Sequence, residues 1–194
     1  ATYESPARTG LPLAYTTLSQ VTLQRPDKLR VITPADGPAS EFYYDGKTMV
    51  AYLPDADMVA RADAPPTLDA MLQKVYGISA TYFPFSDLIV ADPWGDLAPT
   101  LKLAFVVGQS KVVGGTLTDI VAIADAKLQA QLWIGAEDKL PRRIQASFFD
   151  ENGYFRHTLD LSDWQLDPAI PTGTFASAKA AAAKLIPFAP PGAS

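Results

Sequence analysis

His157 is the only histidine in the 194-residue chain, so any nucleophile–histidine relay would have to run through it, and a histidine-rich metal site is excluded. The chain has no cysteine, which removes thiolate catalysis, disulfides and sulfur-ligated zinc and leaves the redox compartment open. No serine stands in a G-x-S-x-G elbow. The carboxylate pairs Asp92 with Asp96 and Asp55 with Asp57 have spacings that acid–base chemistry could use, but proline and glycine flank them, and turn formation accounts for them better. Gly114-Gly115 lies between Val112-Val113 and Thr116-Leu117, and a phosphate loop needs longer glycine spacing and a following helix; it reads as a hairpin connection. The expectation is therefore a protein that is not an enzyme and carries neither cofactor nor metal. His157 serves best as a core or cavity histidine, the one polar handle on an apolar surface.

What the chain offers in place of chemistry is apolar surface. Hydrophobic residues make up 48% and charged residues only 19%, enough to fold around one core. The length suits a single domain over 1–194. A net charge of −5 argues against a phosphate-tracking surface, so no nucleic-acid partner is expected. No apolar run approaches the roughly 20 residues that span a bilayer. The chain opens on Ala1-Thr2-Tyr3-Glu4 without a charged-then-apolar leader, and the expectation is that upstream sequence is missing.

The elements that must hold this surface are mostly strands. Leu13 to Arg25, rich in Thr, Tyr, Val and Leu, reads as one long strand, and Leu29 to Thr33 resumes after the Arg25-Pro26-Asp27-Lys28 turn. Glu41 to Leu53 reads as a hairpin about a type I′ turn at Asp45-Gly46. From Lys102 onward hairpins follow one another, with Leu128, Ala130, Leu132 and Ile134 alternating against Gln129, Gln131 and Trp133. An Asn152-Gly153 turn sets Phe148 opposite His157, Ala146 opposite Leu159 and Ile144 opposite Leu161, giving one apolar face.

Helical periodicity interrupts the strands once with force. Over Thr67 to Gly77 the residues Leu68, Met71, Leu72, Val75 and Tyr76 share a face, with Thr67 as cap and Gly77 as stop. A second short helix is expected over Pro84 to Ile89, closed by Asp92-Pro93, and an alanine-rich one over Ser177 to Leu185. The stripe reads either as ordinary core or, with Phe83 and Phe85, as a lid over a greasy interior, because methionine and aromatics adapt to varied apolar shapes. About ten strands with two or three helices imply a mainly β (α+β) fold, an antiparallel sheet curled over helices.

These segments also carry a resemblance. Val21-Thr22-Leu23-Gln24-Arg25-Pro26-Asp27-Lys28-Leu29-Arg30-Val31, then Tyr43-Tyr44-Asp45-Gly46-Lys47-Thr48-Met49 and Tyr52-x-Pro54, resemble the LolA-type lipoprotein-carrier superfamily. Pro66-Thr67-Leu68-Asp69-Ala70-Met71-Leu72, Asp87-Leu88 with Asp92-Pro93, and Gln131-Leu132-Trp133-Ile134 with Leu140-Pro141-Arg142-Arg143 are similar to one branch of it, a family of predicted periplasmic proteins. The resemblance runs roughly from Leu13 to Asp163. It implies an unclosed antiparallel β-barrel over helices, with a hydrophobic cavity for acyl chains, in an exported periplasmic protein. It also implies that Arg25, at the position of the carriers' R-P-[DN] arginine, latches the helical lid through main-chain carbonyls. The other reading of Arg25 is a surface arginine beside a turn. Two departures from the pattern are the missing N-terminal helix and export signal, and the Phe175-Ala176-Ser177-Ala178-Lys179 segment in place of a proline-containing one.

The function expected is carriage of a hydrophobic, lipid-like ligand or of lipoprotein acyl chains. Its binding residues would be Leu68, Met71, Leu72, Val75, Tyr76, Phe83, Phe85, Leu132, Phe148, His157 and Leu159, with Arg25 as latch. The alternative is a non-catalytic envelope sensor or interaction protein whose cavity is filled by its own side chains and whose partners are envelope proteins. A hydrolase working through His157 or a loop carboxylate is the third reading.

Overall fold

The computed structural model describes residues 1–6, 11–34, 38–95, 97–150 and 153–189. Its strands form two open sheets, as the mainly β expectation requires, and the chain divides into two compact units with one sheet each. The first unit comprises residues 1–16 and 94–167, the second 17–93 and 168–194.

In the first unit the strands are β1 (Thr2–Pro6), β2 (Pro12–Thr16), β8 (Leu103–Ser110), β9 (Thr118–Ala124), β10 (Leu128–Gly135), β11 (Pro141–Asp150) and β12 (Gly153–Asp160). Their order is β2-β1-β12-β11-β10-β9-β8, and every pairing is antiparallel. Residues directly opposite one another share a face, so the registers sort the side chains without ambiguity. Tyr15, Tyr3, His157, Ala146, Ala130, Ile123 and Ala104 lie in one row across all seven strands. The parallel row on the other face reads Thr16, Thr2, Thr158, Gln145, Gln131 and Ala122, and an ion pair joins Glu4 to Arg156 outside it. The alternation expected of Leu128 to Ile134 holds across this row, while Phe105, Phe149 and Tyr154 put exposed aromatics on the other face as well. Gly114 and Gly115 take positive φ (60° and 71°) between β8 and β9, the hairpin connection expected of them.

The second unit's sheet has the order β13-β7-β6-β5-β4-β3. Its strands are β3 (Gln20–Gln24), β4 (Lys28–Thr33), β5 (Ser40–Tyr44), β6 (Thr48–Leu53), β7 (Met58–Asp63) and the short β13 (Lys184–Ile186), which pairs parallel to β7. Leu29, Val31, Phe42, Tyr44, Met49 and Ala60 form one buried face. Helix α1 (Leu68–Ser79) begins over that face, since the Tyr44 hydroxyl donates to the Pro65 carbonyl at 2.6 Å and the Leu68 N–H to Pro26 at 3.2 Å. Helix α2 (Ser86–Ile89) follows, and α3 (Ala178–Ala182) packs on the opposite face, with Ala180 against Tyr52 and Val59.

Several expectations are corrected. Leu13 to Arg25 is not one strand: it breaks at 17–19 into β2 and β3, which belong to different sheets. α1 runs through Gly77 and stops at Ala80, which takes the left-handed conformation (φ 53°) that glycine was expected to supply. Between β5 and β6 only Gly46 has positive φ (90°), so the turn is not type I′, which needs two such residues. The tail is helical for one turn only and then returns to the sheet as β13. In the β11–β12 hairpin, Phe148 faces Phe155, Ala146 faces His157 and Ile144 faces Leu159, a shift of two residues from the expected pairing. Because strands alternate with period two, an even shift leaves every side chain on its expected face. Asn152 of the expected turn, and Asp96 of the expected carboxylate pair, lie outside the described residues.

Candidate functional site

The apolar face of the seven-stranded sheet gathers four of the residues expected to bind ligand. Leu132, Phe148, His157 and Leu159 sit on adjacent strands β10, β11 and β12, all on the side carrying Ile123, Ala130 and Ala146. The last three form a buried cluster against which Leu97 and Leu101, flanking the 3-10 turn Ala98–Thr100, pack. Cover is incomplete. Large apolar side chains on this same face stay open to solvent at both edges and at a strand end: Leu13 and Tyr15 on β2, Val106 at 70% exposure on β8, and Phe148 on β11. His157 is half-buried among them, edge-on to Tyr3 (centroids 6.4 Å, 77°), and Tyr3 stacks on Tyr15 at 5.7 Å. Two tyrosines and one imidazole thus form a polar-tipped row on a mostly apolar surface.

The second unit holds the other expected residues, and they are packed differently. Leu68, Met71 and Val75 of α1 are buried, Met71 and Val75 completely, and Leu72 is half-buried. Tyr76 is 62% exposed and leaves the stripe, because at this point the helix turns its flank to solvent and Ser79 takes the buried position instead, its hydroxyl donating to Val75 O at 2.7 Å. Phe83 and Phe85 are buried, stacked on each other at 5.8 Å, with Phe83 edge-on to Phe42 of the sheet at 5.0 Å. These buried residues come from α1 and from the segment that joins it to residue 93, to which Phe83 and Phe85 belong.

Arg25 stands at the edge of that layer. Its Nη2 donates to the Val90 carbonyl at 2.9 Å, so it bonds a main-chain oxygen just beyond α2. Around it, the stretches that carried the family resemblance converge. A Cβ on Gly46 would fall 2.5 Å from Asp27 Oδ2, which is why this turn needs glycine twice over, for space and for φ. Burial, with the carboxylates of Asp27 and Asp45 nearby, pushes the Tyr44 phenol up.

On the opposite side of the six-stranded sheet, a cleft of about 360 Å³ lies between the strands and the C-terminal segment 175–181. Tyr43, Val50 and Arg61 line it from one cross-strand row, and the Arg61 guanidinium donates to the Ala180 carbonyl. Burial and the Glu41 carboxylate, which accepts the Tyr43 proton at 2.7 Å, push that phenol up. None of the residues expected to bind ligand lines this cleft. Sequence reasoning passed over it because its wall comes from residues 43–63 and 175–181, which no local pattern connects.

Among the described residues no group of three or more His, Asp and Glu side chains is placed to hold a metal. Asp57 belongs to a turn: it caps the 3-10 segment Pro54–Ala56 with φ 48° and accepts from the Tyr52 hydroxyl at 3.2 Å. Among the described residues no helix is long and apolar enough to cross a membrane.

A family model described as predicted periplasmic protein (DUF2092) matches residues 1–189. No curated protein matches the chain significantly. Among solved structures, the chain is similar to a crystallised Vibrio parahaemolyticus domain named for outer membrane lipoprotein sorting, at 12% identity and a TM-score of 0.32, over 90% of this chain and 87% of that one.

Proposed function

The chain belongs to the DUF2092 family of predicted periplasmic proteins, and from that premise we propose that it binds and carries a hydrophobic, lipid-like ligand, or lipoprotein acyl chains, without catalysing a reaction. The observation that carries the proposal is the apolar face of the seven-stranded sheet, where Leu13, Tyr15, Val106 and Phe148 remain exposed beside a half-buried His157. Exposed large apolar side chains grouped on one face can mark a surface that binds something. An acyl chain burying about 300 Å² there gains ~7 kcal/mol before entropy costs, with no charged contact needed. His157, Tyr3 and Tyr15 supply the places where an ester or headgroup oxygen meets a donor.

In the second unit, the segment after α1, which carries Phe83 and Phe85, acts as a lid over Phe42 and the apolar face of the sheet, and Arg25 is its latch. The test is native mass spectrometry of the protein purified from a periplasm, with uptake of a fluorescent long-chain fatty acid in vitro. Bound lipid that Leu132→Asp or Phe148→Asp removes is the expected result. Protein that emerges lipid-free and takes up no probe overturns the proposal.

The second reading, an envelope sensor or interaction protein with a self-filled interior, is favoured by the complete burial of Met71 and Val75. Envelope proteins captured equally by wild type and by Leu132→Asp, with no lipid on either, would support it.

A further inference from the structure

The peptide group joining Val90 to Ala91 is held at both of its polar ends by side chains of opposite charge. Arg25, from the β3–β4 turn, donates to its carbonyl at 2.9 Å. Asp69, in the first turn of α1, accepts from its N–H at 3.0 Å through Oδ1. The two side chains come from segments that are themselves joined, since the N–H of Leu68, beside Asp69, donates to the carbonyl of Pro26, beside Arg25, at 3.2 Å. Residues 25–26, 68–69 and 90–91 therefore close a ring of three hydrogen bonds, and one peptide plane is clamped between a guanidinium and a carboxylate.

We infer that Asp69 is the second half of the latch, a positioning residue that fixes the segment after α2 together with Arg25. Each bond polarises the same amide in the same sense: the cation draws density to the oxygen, which makes the N–H a better donor to the anion. The two contacts are cooperative for this reason. Breaking either weakens the other, and the segment opens when one is lost. The Asp69 carboxylate accepts from residue 91 and not from the helix's own amides, which Thr67 caps instead. This inference rests on the lid reading above only for its consequence, ligand entry; the clamp itself is a statement about the apo protein.

The experiment separates the two. Hydrogen exchange on the ligand-free full chain reads the amide of Ala91 and the peptides covering 81–93, with β10 to β12 as an internal control for folding. Asp69→Ala and Arg25→Ala are each expected to speed exchange across 81–93 by about tenfold or more, as loss of a charge-assisted hydrogen bond implies. The double variant should add little to either, and Asp69→Asn, which keeps an acceptor oxygen, should restore much of the protection. Unchanged exchange in Asp69→Ala, or effects of the two substitutions that simply multiply, would overturn the clamp. Fatty-acid uptake measured on the same variants reports on the lid separately: faster exchange with unaltered uptake leaves the clamp standing and sinks the lid.

Discussion

At Asp45 one carboxylate oxygen accepts from the Thr48 N–H (2.8 Å), the Lys47 N–H (3.0 Å) and the Thr48 hydroxyl (3.2 Å), and so closes the β5–β6 turn. Burial alone would raise this carboxyl, but the Thr48 and Lys47 bonds outweigh it and hold it below the ordinary Asp range. Asp125 does the same for the β9–β10 turn through Lys127 and Leu128, and Asp138 for the turn before β11 through Leu140 and Arg142, both again lowered. A carboxyl depressed in the folded state leaves the unfolded chain binding more protons in acid. The stabilisation is therefore fully present above about pH 4, the unfolded Asp value, and is lost as pH falls through the folded values. The urea midpoint should hold from pH 7 to 5 and fall below about pH 4, with a shallower fall in Asp45→Ala; a midpoint level down to pH 2.5 would contradict it. At neutral pH, Asp45→Ala should cost about 1 kcal/mol. Asp45-Gly46 was legible as a turn because Asp and Gly favour turns locally, while its type, with positive φ at Gly46 and not at Asp45, was not.

Helix α1 shows how far periodicity reaches at the scale of an element. Its cap at Thr67 and its buried positions Leu68, Met71 and Val75 follow from sequence, since a cap and a 3.6-residue repeat act within one or two turns. The repeat placed Tyr76 on the same stripe, yet a stripe is a range of angles, and how wide a band is covered depends on the surface it meets. Substitutions test that division: Met71→Ala should cost roughly 2–5 kcal/mol in urea unfolding, and Tyr76→Ser should stay within about 0.5 kcal/mol. Equal costs at the two positions would mean that α1 sits on its sheet with a different face.

Across the whole molecule the same chain supplies two kinds of apolar surface. In the six-stranded unit the apolar face under α1 is buried, and in the seven-stranded unit large apolar side chains stay open beside the buried cluster. Ligand occupying the open face should raise stability by about 2.7 kcal/mol at a hundredfold excess over Kd, which for a chain of this size is roughly 5–10 °C in Tm. Differential scanning calorimetry with palmitic acid reads this directly. Leu132→Asp should remove the shift while leaving α1 intact, and a shift of the same size in that variant would place the ligand elsewhere.

By itself the sequence determined the mainly β class, the Thr67 cap, the places of several turns and the face to which the residues of β10 to β12 point. It marked Leu132, Phe148, His157 and Leu159 as one apolar set, although it set the β11–β12 register two residues off. Those properties depend on contacts a few residues apart, or on a period of two that survives an even slip. Only the tertiary structure decided that Leu13 to Arg25 divides between two sheets, and that Met71 is closed off while Val106 is open. It also decided that Arg25 and Asp69 meet on one peptide group. Pairings over tens of residues are selected by the burial of the whole set at once, and no local pattern along the chain encodes that choice.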